Sequence, residues 1–367
     1  MKRIAFLDTL RVLAIFMVLV IHSTEPYYLG GDGTFVASAA DAEWVALFEV
    51  LCRCCVPLFV MASAYLLFPV TKPTGAFLKR RFLRVFVPFA LWCGVYTWWS
   101  GGAWSGGDWT PMLFNFPMAA GGHLWFVPMI LGLYLAMPLL SPWAEKASER
   151  EIRGWLLVWA FTTLFPFLRR FSNVLCGDPS FGAVPYLYGE CPWNAFGTFQ
   201  YVSGFFGYML LGFWFRKFAG EWSWRTTLSV SALTGALGAF LMGVPFYLAL
   251  LARQYPLSES YAYAVRAEMS IEYCSIGVAL STFAYFTLIR KLNFEGAFER
   301  WIVTPLANAS YGVYLVHIIV LVPVSAWLKP LLPTPLGIIA VASLTFVISS
   351  AAVLVLRRLP LVKNLVG

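Results

Sequence analysis

The chain has 367 residues, of which 60% are hydrophobic, 18% aromatic and only 12% charged, whereas about a quarter of the residues in soluble domains are charged. That composition excludes an ordinary soluble enzyme and places nearly the whole chain in a bilayer. The net charge of +8 does not mark a nucleic-acid binder, because the basic residues are parcelled into short connections between apolar runs, as membrane topology demands.

Apolar runs extend over Ile4 to His22, Trp44 to Phe68, Phe82 to Trp99, Leu124 to Trp143, Ile152 to Leu168, Ala195 to Phe215, Thr226 to Leu251, Glu268 to Ile289, Trp301 to Pro323 and Leu336 to Leu356. Continuous runs of about 20 residues predict transmembrane helices, since barrel strands are shorter and alternate apolar with polar positions. Ten crossings put both termini on one side. With Lys2 and Arg3 inside, nineteen Lys and Arg residues fall on inner connections, and only Arg169, Arg170, Arg253, Arg266 and Lys329 fall outside. Both termini are therefore expected in the cytoplasm.

The first run has basic residues ahead of it, as a signal peptide does, but Asp8 and Arg11 interrupt it and no small-residue cleavage site follows His22. It is expected to remain as the first helix. No connection has the length of a second catalytic domain, so the expectation is an all-α polytopic bundle: one membrane-embedded domain over residues 1–367 with no separate soluble part. Chemistry then has to happen within the bundle.

The seven cysteines have no metal-like spacing. Cys52, Cys54, Cys55, Cys93 and Cys274 read as buried thiols, and no metal site is expected. Cys176 and Cys191 share one predicted outer loop, bent by Pro179, Gly182 and Pro185, and a disulfide there is plausible in an oxidising compartment.

An ionised group at membrane depth costs at least about 2.5 kcal/mol, so each needs a reason. In the first helix Asp8 and Arg11 are three residues apart and share a face. His22 follows Arg11 by eleven residues, three turns plus about 20°, on the same face roughly 16 Å further along. Asp8 and Arg11 read either as a structural pair or as the inner part of a functional stripe that ends at His22. Only three histidines exist, His22, His123 and His317, and this topology puts all three toward the outer half. Histidine is the side chain suited to proton transfer near neutral pH. Glu25 is the acid nearest His22 in sequence, a candidate to orient it or an acceptor hydroxyl. Glu49 and Arg53 read as a structural pair one turn apart. Glu268 and Glu272, predicted one turn apart at a helix start, are candidates to orient a histidine or to bind acceptor hydroxyls.

Between the second and third runs Lys79, Arg80, Arg81 and Arg84 lie within six residues, denser than topology requires. Arg81 and Arg84 share a face, and guanidinium groups bind phosphate in a bidentate manner. Anionic lipid headgroups are the other reading of such a cluster. Sixteen tryptophans, seventeen tyrosines and thirty-two phenylalanines invite a carbohydrate ligand, although interface anchoring accounts for most of them.

Five stretches in order carry a resemblance: LDTLRVLAIFMVLVIH (Leu7 to His22), VPLFVMASAYLL (Val56 to Leu67), the Arg81 and Arg84 pair ahead of Pro88, HLWFVPMILGLYLAMPLL (His123 to Leu140) and ASYGVYLVH (Ala309 to His317). Together the chain resembles the integral-membrane acyltransferase family 3, whose members place O-acyl groups on O-antigen, enterobacterial common antigen, capsule, nodulation factors and other glycans. The departure is Ala64, which follows Ser63 where the family pattern has glycine.

The resemblance implies an acyl-CoA, usually acetyl-CoA, as acyl-donor co-substrate, with its phosphates near Arg81 and Arg84 at the cytoplasmic side. It implies a carbohydrate or lipid-linked glycan acceptor near the outer side of a bacterial inner membrane. His22 matches the family's essential histidine and Arg11 its helix-one arginine; His22 would act as general base or as transient acyl carrier. The rival reading is a transporter or flippase of a lipid-linked glycan, since intramembrane charges also mark transport paths. Such proteins often contain two similar halves, and no internal repeat is evident. A non-catalytic scaffold in polysaccharide assembly is the third.

Overall fold

In hydrocarbon every backbone polar group has to be satisfied within the segment, so apolar runs of this length fold as helices. The computed structural model describes residues 3–29, 36, 38–99, 122–168, 196–251, 268–292, 294, 296–360, 362, 365 and 366. In chain order the helices are α1 (Ala5–Thr24), α2 (Ala39–Cys52), α3 (Cys55–Leu67), α4 (Thr74–Trp99), α5 (Phe126–Lys146), α6 (Glu149–Thr162), α7 (Phe205–Lys217), α8 (Trp224–Leu251), α9 (Ile276–Ile289), α10 (Thr304–Leu328) and α11 (Thr334–Leu356). No strand occurs among the described residues. The chain is an all-α polytopic bundle.

Eight spans among the described residues are long and apolar enough to cross a bilayer, α2 and α3 counting as one. The other two expected runs form α6 and α7, of 14 and 13 residues, about 20 Å each at 1.5 Å per residue. Helix α1 lies at the centre, packed against α2, α3, α10 and α11. By contrast α8 exposes Leu228, Leu233, Leu237, Phe240, Val244 and Leu248, a stripe that water would penalise and lipid accepts. Arg3 and Arg357 both bond Asn308, Arg3 Nη2 to its side-chain oxygen at 3.4 Å and Arg357 Nη1 to its backbone oxygen, so the two terminal segments meet at one end of the bundle. Lys217 at that end donates to the carbonyls of Ala144, Glu145 and Ala147 at 3.1, 3.0 and 3.2 Å, a cation capping the C-terminus of α5.

Three boundaries differ from the expected ones. The run Trp44 to Phe68 is broken at Arg53 and Cys54 because Pro57 lacks the N–H that would bond the carbonyl of Arg53, and its ring crowds that carbonyl. Helix α4 begins at Thr74 rather than Phe82, so Lys79, Arg80 and Arg81 lie inside it together with Arg84. The run from Glu268 starts as a short 3-10 turn, Met269–Ile271, and becomes α-helical only at Ile276.

The family pattern has glycine where this chain has Ala64, yet α3 and α7 still touch closely. Ala64 is fully buried, and the missing side chain is on the facing helix: a Cβ on Gly212 would stand 2.6 Å from the Met61 carbonyl oxygen and 3.2 Å from the Ala64 Cβ. Gly212→Ala is therefore expected to destabilise by about 1–3 kcal/mol through overpacking against backbone, read as a lowered melting temperature in detergent. An unchanged melting temperature would show that the α3–α7 interface yields.

Candidate active site

Helices α1, α3, α4, α5 and α10 enclose a cavity of about 220 Å³. From α1 it takes Arg11, Val18 and His22, whose spacings of seven and four keep them on one helix face. One end is cationic and polar, with Arg11, Arg81, Arg84 and Asn308; the other holds His22, His123, Trp125 and Tyr273. Lys79 and Arg80 lie on exposed positions of α4 and are not among the residues lining the cavity.

At the cationic end Asp8 is buried, held by Arg3 Nε and by Arg11, whose Nη1 lies 3.6 Å from Oδ1. Asp8 thus steadies Arg11 from behind the cavity wall, and Arg3 is a partner the i,i+3 pattern did not reveal. Arg11 stands about 16 Å along the helix axis from His22. That separation groups Arg11 with Arg81 and Arg84 in the cavity lining.

The other end brings the three histidines together. The ring centroids of His22 and His317 are 5.1 Å apart, and those of His317 and His123 are 5.2 Å apart. His22 Nδ1 pairs with Glu25 Oε1 at 2.8 Å, so Nδ1–H donates to the carboxylate and Nε2 is the ring nitrogen left outside that pair. His317, fully buried, donates from Nδ1 to the Tyr314 carbonyl at 2.6 Å. Tyr314 in turn donates its hydroxyl to the His123 carbonyl at 2.7 Å, so one α10 residue fixes two of the histidines. The Nε2 atoms of His317 and His123 are buried with no hydrogen-bond partner among the described residues.

Beside this cluster lies a buried ion network. Arg53 bonds Glu49 at 3.2 Å and the Ile271 carbonyl at 2.8 Å, and lies 3.7 Å from Glu268. Thr24 donates to Glu49 at 2.6 Å and Tyr28 to Glu268 at 2.7 Å. The expected Glu49–Arg53 pair is present. The expected pairing of Glu268 with Glu272 is not: Glu268 is drawn into the Arg53 network, while Glu272 is exposed on extended backbone after the 3-10 turn. Neither lines the cavity. Cys52, Cys54, Cys55 and Cys93 are buried free thiols and Cys274 is a partly buried one. Cys176 and Cys191 lie outside the described residues, as do Arg169, Arg170, Arg253 and Arg266. No cluster of metal-ligating side chains occurs among the described residues.

Tyr273, Tyr314, Asn308 and Arg3 escaped the sequence reading. Tyr314 stands inside the stretch ASYGVYLVH, three residues before His317, and is the one that stretch could have disclosed. No curated protein and no solved structure matches the chain. A family model described as an acyltransferase domain matches residues 4–354, nearly every helix of the bundle and all the residues of the cavity. The chain is a multi-pass membrane protein of the acyltransferase family 3.

Proposed function

We propose that this membrane O-acyltransferase moves an acyl group, acetyl foremost, from cytoplasmic acyl-CoA to a hydroxyl of a cell-envelope or exported carbohydrate, within one membrane-embedded domain of a bacterial inner membrane. The observation that supports it is the two-ended cavity: three arginines suited to phosphate at one end and a carboxylate-paired histidine at the other. The coenzyme's phosphates sit on Arg81, Arg84 and Arg11, and its pantetheine arm runs along α1 toward His22. Lys79 and Arg80, exposed on the same helix, draw the anion and membrane lipid headgroups to that face.

In the direct form His22 Nε2 takes the proton of the acceptor hydroxyl as that oxygen bonds to the thioester carbonyl carbon. The carbon–sulfur bond then breaks, and the proton passes from His22 to the leaving thiolate. Glu25 holds the tautomer and stabilises the transient imidazolium. His123 supplies a hydrogen-bond donor to the carbonyl oxygen, and His317, wedged between the other two rings, keeps them in place. In the covalent form Nε2 bonds to the thioester carbonyl carbon and the carbon–sulfur bond breaks, releasing the thiolate; the acceptor oxygen then bonds to the same carbon as the N–C bond breaks, and the acceptor's proton goes to the thiolate.

The test is turnover of radiolabelled acetyl-CoA by the purified protein in nanodiscs. An Arg81→Ala, Arg84→Ala double variant is expected to raise KM for acetyl-CoA by at least about a hundredfold, since each charged hydrogen bond contributes roughly 1.5–3 kcal/mol, with a smaller change in kcat. An unchanged KM would remove these arginines from the phosphate site. No turnover of any acyl-CoA in the wild type, with glycans supplied, would favour the transporter reading.

A further inference from the structure

Of the five basic residues that the charge pattern leaves outside, Lys329 is the one among the described residues, and the site described above does not use it. It stands at the C-terminus of α10, where a lysine ordinarily turns back onto the last carbonyls of its own helix. This one reaches across the fold instead. Its Nζ donates to the Pro26 carbonyl at 2.5 Å and lies 5.1 Å from the centroid of the Tyr27 ring, a carbonyl and an aromatic face that together hold an ammonium in place. Pro26 and Tyr27 belong to the short 3-10 turn Glu25–Tyr27 that follows α1, and the first residue of that turn is the acid paired with His22.

The turn is weakly held by its own backbone. Among the described residues it is closed by the N–H groups of Tyr28 and Leu29, both donating to the Glu25 carbonyl, at 3.1 and 2.7 Å. Glu25 is partly exposed, so water competes for its carboxylate and other rotamers compete with the one that meets His22. The anchors come from elsewhere. On one side Tyr28 is buried and donates to Glu268 at 2.7 Å. Glu268 lies beside Arg53, which is seated against the Tyr273 ring with its guanidinium carbon 4.8 Å from the centroid. On the other side the Tyr27 hydroxyl rests on the backbone of α11, where a Cβ on Gly337 would stand 2.2 Å from that oxygen, and Lys329 covers the ring. The corner that carries Lys329 is itself fixed, since Thr334 at the start of α11 donates to Asp41 in the first turn of α2.

We infer that Lys329 is a positioning residue: by fastening the turn to the corner between α10 and α11, it keeps the Glu25 carboxylate on His22 Nδ1. Its consequence for turnover rests on the acyltransferase reading above. Without the ammonium, the Pro26 carbonyl and the Tyr27 ring lose the contact that ties them to α10, and Glu25 is left on a turn held from the Tyr28 side alone.

The experiment uses the full chain in nanodiscs with isotopically labelled histidine nitrogens. The protein has three histidines, so the magnetic resonance signal of His22 is the one that His22→Ala removes. An Nδ1–H protected from exchange with water is expected on His22 in the wild type and in Lys329→Arg, which keeps a cationic donor. It is expected to be lost in Lys329→Met, as it is in Glu25→Ala. Turnover of radiolabelled acetyl-CoA gives the second readout. Lys329→Met is expected to lower kcat about tenfold, within the cost of a displaced catalytic group, with KM for acetyl-CoA unchanged. In a Glu25→Ala background the same substitution is expected to lower kcat by no more than about twofold, because both act through one contact. A merely structural loss acts equally in the two backgrounds, and that result overturns the inference. So does a His22 Nδ1–H as protected in Lys329→Met as in the wild type. The spectrum decides without turnover: acetyl-CoA left untouched by the wild type sinks the acyltransferase mechanism, while an Nδ1–H lost in Lys329→Met still shows Lys329 placing Glu25.

Discussion

Replacing His22 with alanine is expected to lower acetyl transfer about a thousandfold, within the range of 10²–10⁴ that a positioned general base contributes, or roughly 4 kcal/mol of transition-state stabilisation. The size follows from geometry. Glu25 occupies Nδ1 at 2.8 Å, so the ring offers Nε2 in one tautomer and one orientation, as an Asp-held histidine does in a hydrolytic triad. His317 does not substitute, because it is fully buried and is not among the residues lining the cavity, and neither its ring nor that of His123 is paired with a carboxylate as His22 is with Glu25. Glu25→Gln keeps an acceptor for Nδ1–H but loses the charge that stabilises the imidazolium, so a smaller loss, about tenfold, is expected from it. The measurement is single-turnover transfer at saturating acetyl-CoA, paired with binding of acetyl-CoA. Because the arginines stand at the opposite end of the cavity, His22→Ala should leave that affinity within about threefold. Transfer above a tenth of the wild-type rate would remove His22 from the chemistry in both the direct and the covalent forms.

What the sequence disclosed about this site is what lies on one helix. Asp8, Arg11 and His22 are set by the period of α1, and eleven residues translate directly into a shared face and an axial distance. Glu25 is within one turn of His22, and the pair is local for the same reason. The meeting of His22 with His317 and of His317 with His123 is not local: those residues come from three segments, and only the packing of α10 against α1, with the start of α5 alongside, brings them within ring contact. Periodicity carries no information on such pairings. The same limit hid Arg3 behind Asp8 and led Glu268 to be grouped with Glu272 when its partner is Arg53. The break at Arg53 is a different case, because Pro57 announces it in the sequence and the continuous apolar run masked it. The helical fold itself was legible throughout, since hydrocarbon allows little else to a run of this length.

The largest structural effect is expected from Arg53→Ala, a loss of about 3–5 kcal/mol, the usual consequence of stripping one partner from a buried ion pair. Glu49 has no exposed surface, and without Arg53 it keeps only the Thr24 hydroxyl at 2.6 Å. The Ile271 carbonyl loses its donor at the same time. Against a total of roughly 5–15 kcal/mol for a folded domain, that loss should appear as a fall in melting temperature of about 10 °C in detergent. The companion variant separates an unpaired charge from a lost contact. Glu49→Gln combined with Arg53→Met removes both charges at similar volume, and buried pairs replaced in this way are often neutral. Thr24 stays satisfied in that variant because its hydroxyl also reaches the Ile21 carbonyl at 2.6 Å, and Glu268, partly exposed and bonded to Tyr28, keeps a partner of its own. The double variant is therefore expected to recover most of the melting temperature that Arg53→Ala loses. A double variant as unstable as the single one would show that Arg53 holds the break between α2 and α3 through the Ile271 carbonyl and the Tyr273 ring rather than through charge, and would shift the cost from Glu49 to those two contacts.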